Sequence, residues 1–272
     1  MTGLCELHAH TSYCDGANTC EEMTLAAIDA GLESFGISEH SHTTVPQDTG
    51  NLTAESLPLY RAEMRALREK YAGKITLLAG IELDLLGDTP TDGFDYVIGS
   101  THFVCAGGEY RFVDDDSKGQ LETAQRLFGG DFYAFAEAYY TEESTVARVT
   151  GCDIIGHFDL IAKNNEDDCF FDSSHPRYRA AAIDAMTEIL KTQRLFEVNT
   201  GAMFRRGRSE QYPQTWLLRE LLARGGEVIL SGDAHTTAAI AYKFREMEEL
   251  LRSVGFRHRK ILTADGFRDI AL

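Results

Sequence analysis

Leu4-Cys5-Glu6-Leu7-His8-Ala9-His10 is a short apolar run that ends in two histidines, and Asp15-Gly16 follows within a turn. Side chains two apart on a strand share a face, so His8 and His10 point the same way and can grip one ion. A lone His-x-His pair is a frequent accident. What decides the fold is that the same grammar, an apolar run and then His, Asp or Glu, recurs along the chain. It returns at Ile37-Ser38-Glu39-His40, Gly80-Ile81-Glu82, Ile98-Gly99-Ser100-Thr101-His102, Ile154-Ile155-Gly156-His157-Phe158-Asp159 and Ile229-Leu230-Ser231-Gly232-Asp233-Ala234-His235.

Helical patterns separate these runs. Asn18 or Thr19 can cap a helix reaching about residue 30, with Glu21 and Glu22 in its first turn. Further helices are expected over 54–71, 131–149, 177–193, 214–224 and 237–253. Strands are expected at 34–38, 75–83, 96–101, 153–157, 195–199, 227–231 and 260–263. Residues 104–130 read as irregular, with a hairpin turn at Gly107-Gly108 and a solvated acidic loop at Asp114-Asp115-Asp116. Strand and helix alternate, which predicts a mostly parallel sheet with helices outside it. Seven or eight such units with no Pro- or Gly-rich linker favour a closed α/β barrel, a single domain over 1–272. A barrel brings the carboxyl ends of its strands to one face, whereas an open doubly wound sheet strings them in a line.

The composition narrows the function. A net charge of -17 argues against a broad nucleic-acid surface, which needs basic side chains to displace counterions. No window approaches an uninterrupted membrane span, and no basic, apolar leader pattern precedes the first strand. A cytoplasmic protein with no membrane partner is expected. The six cysteines form no Cys-x-x-Cys pair and read as reduced thiols, with Cys14 and Cys105 near candidate ligands.

The strand ends supply His8, His10, Asp15, Glu39, His40, Glu82, His102, His157, Asp233 and His235, which include six of the nine histidines. These are too many ligands for one ion, so two or three ions sharing a carboxylate fit the count. Imidazole and carboxylate without clustered thiolates suit Zn, Mn or Fe.

Together these motifs resemble the polymerase and histidinol phosphatase (PHP) superfamily, from residue 3 to about residue 240. Glu39-His40-Ser41-His42, Gly156-His157-Phe158-Asp159-Leu160-Ile161 and Glu197-Val198-Asn199-Thr200 with Tyr212-Pro213 resemble its stand-alone histidinol-phosphate phosphatases. The resemblance implies a distorted (β/α)7 TIM-like barrel with three divalent metal ions. On that basis one ion takes His8, His10, Glu82 and Asp233. A second shares Glu82 and adds His102 and His157; the third takes Asp15, His40 and His235. Many superfamily members carry histidine at the place of Asp15, and a hard ligand there favours Mn or Fe over Zn. Glu39 is expected to orient an imidazole rather than bind metal, and Asp159 to do the same or to cap a helix.

The implied reaction is hydrolysis of L-histidinol phosphate, a small-molecule phosphate ester, in histidine biosynthesis. Ions about 4 Å apart bridge a hydroxide and aim it in line at phosphorus, without a phosphoenzyme. Glu82 is then the shared carboxylate, and Asp15, Asp233 and His235 are candidates to carry the leaving group's proton. Arg205, Arg206 and Lys163 are candidate phosphate contacts, since a guanidinium fork suits phosphate oxygens. His42 is expected to face the substrate. Two alternatives stay open here: a relative cleaving nucleotides or other small phosphate esters, and a non-catalytic, metal-stabilised binding module.

Overall fold

In the computed structural model, which describes residues 3–46 and 48–272, each recurring apolar run is a buried strand. The chain lays down β1 (Cys5–Glu6), β2 (Ser34–His40), β3 (Thr76–Asp84) and β4 (Tyr96–Ser100), then a hairpin of β5 (Phe103–Ala106) and β6 (Glu109–Phe112). β7 (Ile154–Ile155), β8 (Leu195–Asn199) and β9 (Glu227–Ser231) follow. β1, β2, β3, β4, β7, β8 and β9 pair in that order, all parallel. The ring closes past the ends of β1 and β9. There His10 N donates to Ala234 O and Ala234 N donates to His8 O, both at 2.9 Å. This is the distorted (β/α)7 barrel.

The distortion lies at the other end of the ring. β10 (His258–Thr263) pairs in parallel with β9 at Lys260 and Ile229, and β11 (Gly266–Ala271) adds to it antiparallel. Ser34 Oγ of β2 donates to Leu262 O at 2.5 Å, so β10 wedges the ring open below the closure.

Outside the strands run α1 (Cys20–Asp29), α2 (Ser56–Lys70), α3 (Ser117–Phe128), α4 (Phe132–Glu143) and α5 (Val146–Thr150). α6 (Pro176–Ile189), α7 (Gly201–Arg206), α8 (Thr215–Ala223) and α9 (Phe244–Val254) complete the layer. α1 starts with a capping box: Thr19 Oγ1 accepts from Glu22 N, and the Glu22 carboxylate accepts from Thr19 N at 2.8 Å. No helix among the described residues is long and apolar enough to cross a membrane.

Three expectations need correction. The helix expected over 131–149 is two helices, because Ser144 and Thr145 hydroxyls bond back to the carbonyls of Thr141 and Glu142 and end α4. The stretch 104–130 is not irregular. Asp116 caps α3 by accepting from Gly119 N at 2.9 Å, and Gly129 closes it with φ 62°. The helix expected from 237 begins only at Phe244, since Ala241 and Lys243 hold left-handed backbone, φ 54° and 56°.

Tyr96 fills the barrel between β2 and β3, and its hydroxyl donates to Leu7 O. A Cβ on Gly36 or Gly80 would collide with the Tyr96 ring. Gly80→Ala is therefore expected to displace that phenol and cost about 1–3 kcal/mol as overpacking. A denaturant midpoint equal to wild type would refute this.

Candidate active site

Strand alternation and parallel register carry the ligating groups to the top of the barrel, and Glu82 at the end of β3 is their centre. Its Oε2 lies 2.8 Å from His40 Nδ1, 3.2 Å from His8 Nε2 and 3.5 Å from His10 Nε2. Its Oε1 lies 2.9 Å from His157 Nε2 and 3.4 Å from His102 Nε2, and accepts from Ser100 Oγ at 2.7 Å. Burial alone would raise the Glu82 carboxyl, but His8, His40 and His102 outweigh it and hold the group well below its ordinary value.

Asp233 follows β9 in left-handed backbone, φ 46°, a conformation aspartate tolerates better than most residues. Its Oδ1 stands 3.4 Å from both His10 Nε2 and His235 Nδ1. Asp15 Oδ1 stands 3.2 Å from His235 Nε2 and 3.5 Å from His40 Nε2. All nine candidate ligands thus meet at one place. Ligating atoms of eight of them fall within 4.8 Å of one another in the sets His8-His10-Asp233, His40-Glu82-His102 and His10-Asp15-His40-His235, and His157 joins through Glu82 Oε1 at 2.9 Å. The sets depart from the expected grouping at His40, which stands with Glu82 as well as with Asp15, and at His10, which also stands with Asp15, His40 and His235. They depart too at Glu82, which is missing from the set of His8, His10 and Asp233, and at His157, whose ring nitrogen meets only Glu82 among the described residues.

Among the described residues, three buried atoms at this centre, His8 Nε2, His10 Nε2 and Glu82 Oε2, form no well-aligned hydrogen bond, although His40 Nδ1 comes within 2.8 Å of Glu82 Oε2. A buried polar atom without a partner costs about 1–3 kcal/mol, so a fold that aims three of them at one point is shaped for a cation there. The donor set of imidazoles and carboxylates fits a divalent metal.

Two imidazoles are aimed by carboxylates to which the sequence motifs assign no role of their own. Glu197 on β8 meets His8 Nδ1 at 2.8 Å through Oε2, while its Oε1 accepts from His157 N at 2.6 Å. Asp84 Oδ2, two residues past Glu82, accepts from His102 N at 2.9 Å and lies 3.1 Å from His102 Nδ1. Position was the available signal, since both carboxylates sit near strand ends on the same rim.

The remaining candidates divide. Arg205, Arg206 and Lys163 line a 160 Å³ cleft over the centre, together with Tyr212 and Asp114. Arg205 Nη2 reaches Asp233 Oδ2 at 2.8 Å, and Lys163 pairs with Asp114 Oδ2 at 3.3 Å. Asp114 is therefore part of the cleft rather than of a solvated loop. His42 is elsewhere: its carbonyl accepts from Asp88 N, and its Nδ1 pairs with Asp88 at 2.8 Å. Glu39 touches no imidazole directly; it accepts from Thr11 N, Thr11 Oγ1 and Cys14 Sγ. Asp159 accepts from Gln214 N at 3.1 Å, pinning the 208–214 loop instead of an imidazole. Cys105 joins none of the ligand groups among the described residues, while Cys14 joins His10 and Glu39.

Buried acids beneath the centre give a sign to the pH dependence. Burial pushes Glu6 and Glu143 up to about 8. The fold keeps their protons while the unfolded chain ionises near pH 4.5, so folding binds more protons across that window and stability falls as pH rises. His8, His40 and His102, raised by Glu82 and nearby carboxylates against burial, act in the same sense above pH 6.5. His10, held low by burial and by His40 and His235, opposes them. Glu82 and Asp233, held low, lose their contribution only under acid conditions. The thermal midpoint of chelator-treated protein is expected to peak near pH 5 and fall toward pH 8. A midpoint rising over that range would contradict the assignment.

Comparison with known proteins agrees with this geometry. The sequence profile of the PHP domain family matches residues 6–201. The protein of Deinococcus radiodurans named "Probable histidinol-phosphatase" is 32% identical, across 96% of this chain and 99% of that one. The histidinol-phosphatase of Bacillus subtilis is 23% identical, across 89% of this chain and 97% of that one. Among solved structures, the histidinol phosphate phosphatase of Lactococcus lactis, complexed with zinc, L-histidinol and phosphate, superposes with a TM-score of 0.71. At 20% identity over 98% of this chain and 99% of that one, it shows the shared fold. The strand-end grammar, the closed seven-strand ring and the family match agree: the chain belongs to the PHP domain family.

Proposed function

We propose that the chain, acting as one domain over residues 1–272, is a cytoplasmic metal-dependent phosphatase that converts L-histidinol phosphate to L-histidinol and phosphate, a step of histidine biosynthesis. The observation that carries the reading is the convergence of His8 Nε2, His10 Nε2 and Glu82 Oε2, buried and without a well-aligned hydrogen bond, under a cleft walled by arginines. The whole-length match to the Deinococcus protein gives the substrate.

Three divalent ions suit the donors, held by His8, His10, Glu82 and Asp233; by Glu82, His102 and His157; and by Asp15, His40 and His235. Zn, Mn and Fe all accept such ligands, and Asp15 favours the harder two. When bound, such ions bring the pKa of water toward neutrality and offset the charge on phosphate oxygens.

The protein's own groups do the rest. Arg205 and Arg206 present planar forks to the phosphoryl oxygens, and Lys163 adds a point charge. Glu197 and Asp84 lock the rings of His8 and His102 in the orientation binding requires. Asp15, Asp233 and His235 line the cleft where the leaving alkoxide needs a proton.

Steady-state phosphate release on protein of known metal content tests this. The panel is histidinol phosphate, a nucleoside monophosphate, a cyclic nucleotide and an aryl phosphate. A kcat/KM for histidinol phosphate at least about a hundredfold above the others, ~2.7 kcal/mol, is expected. Equal, low rates on all four would keep a metal phosphoesterase and remove the histidinol assignment.

A further inference from the structure

His8 presents Nδ1 to Glu197, His102 to Asp84 and His40 to Glu82, all at oxygens, while His235 Nδ1 stands between Arg205 Nη1 at 2.8 Å and Asp233 O at 3.0 Å. His10 presents its Nδ1 to a sulfur, Cys14 Sγ, at 3.4 Å. On the far side, that sulfur lies 2.6 Å from Glu39 Oε2, and Glu39 also accepts from Thr11 N at 3.1 Å and from the Thr11 hydroxyl.

The directions of these bonds follow from what each group can do. A carboxylate accepts only, so the Cys14 S–H proton points at Glu39. The sulfur then offers His10 a lone pair, and His10 Nδ1 must be the donor. With its proton on Nδ1, the ring keeps the lone pair on Nε2, the atom that is buried, without a well-aligned hydrogen bond and aimed at Glu82 and Asp233. We propose that Cys14 is the positioning residue of His10: relaying Glu39 to the imidazole, it fixes the tautomer and ring angle that the metal centre requires.

This rests on the metal-centre reading above and adds a residue to it. A thiol standing this close to Asp15 and His10 would otherwise be taken for a ligand. The geometry assigns it the second role, because its proton is committed to Glu39 and its lone pair to His10. The relay also gives Glu39 a task, since Glu39 meets no imidazole itself.

Two measurements decide it. In the first, Zn affinity is determined by chelator competition for wild type, Cys14→Ala and Cys14→Ser. Cys14→Ala is expected to weaken one of the bound equivalents about ten- to a hundredfold, and Cys14→Ser, which can still donate to Glu39 and accept from His10, to lie within about threefold of wild type. Unchanged affinity in Cys14→Ala, or no rescue by serine, would overturn the relay. In the second, the absorption of Co-loaded wild type is recorded, which does not depend on any variant folding. No sulfur-to-cobalt charge-transfer band is expected; such a band would make Cys14 a ligand and overturn the proposal. Wild type that binds no metal would remove the metal centre itself, whereas wild type that binds while Cys14→Ala binds equally would remove only the relay.

Discussion

Glu82→Gln is expected to lower kcat/KM by about a thousandfold or more, ~4 kcal/mol, and to release metal along with activity. The substitution keeps the size of the side chain and removes its charge. Five imidazoles approach the Glu82 carboxylate within 3.5 Å, so it is the one anion common to them all. A neutral amide offers one acceptor oxygen in place of two anionic ones, so it cannot serve as the carboxylate common to several cations. Elemental analysis of the purified variant beside its phosphate-release rate checks this. Full metal content with full turnover would show that the carboxylate is not shared between ions.

Arg205→Ala is expected to cost about a hundredfold in kcat/KM, chiefly through KM, with metal content kept. Arg205 stands at the cleft wall with one nitrogen 2.8 Å from Asp233 Oδ2, and a Cβ on Gly201 would crowd both. The missing side chain at Gly201 is what lets α7 bring the guanidinium this near. Arg205→Lys should recover little, since an ammonium cannot reproduce a two-pronged contact. If the alanine variant lost metal instead, the arginine's work would be to hold Asp233 in place, and the phosphate contact would pass to Arg206 and Lys163.

Much of the barrel could be read from sequence because its information is local. Apolar runs followed by His or a carboxylate mark strand ends, and parallel strands put those ends on one rim. The closure between Ala9 and Ala234 was not legible, because it joins residues at opposite ends of the chain through backbone atoms that carry no side-chain signature. The positions of His8, His10 and Glu82 were legible for the same reason as the strands. Glu197 was legible only as part of a family-like stretch and Asp84 not at all, because a carboxylate that aims a ring looks in sequence like any other carboxylate at a strand end. His42 misled by its spacing: two past His40 would share a face on a strand, but β2 ends at His40 and the loop turns to Asp88. α3 was missed because its capping residue, Asp116, stands in an acidic triplet that reads as solvated loop, and Gly119 falls in its first turn.

The most direct test of the account is a single titration of chelator-stripped protein with a divalent metal, following bound equivalents and phosphate release from histidinol phosphate together. The account predicts no turnover in the stripped chain, activity rising with metal to a plateau at three equivalents, and loss of both on renewed chelation. Full turnover by the stripped chain, or saturation of activity with no metal held by the protein, would contradict it.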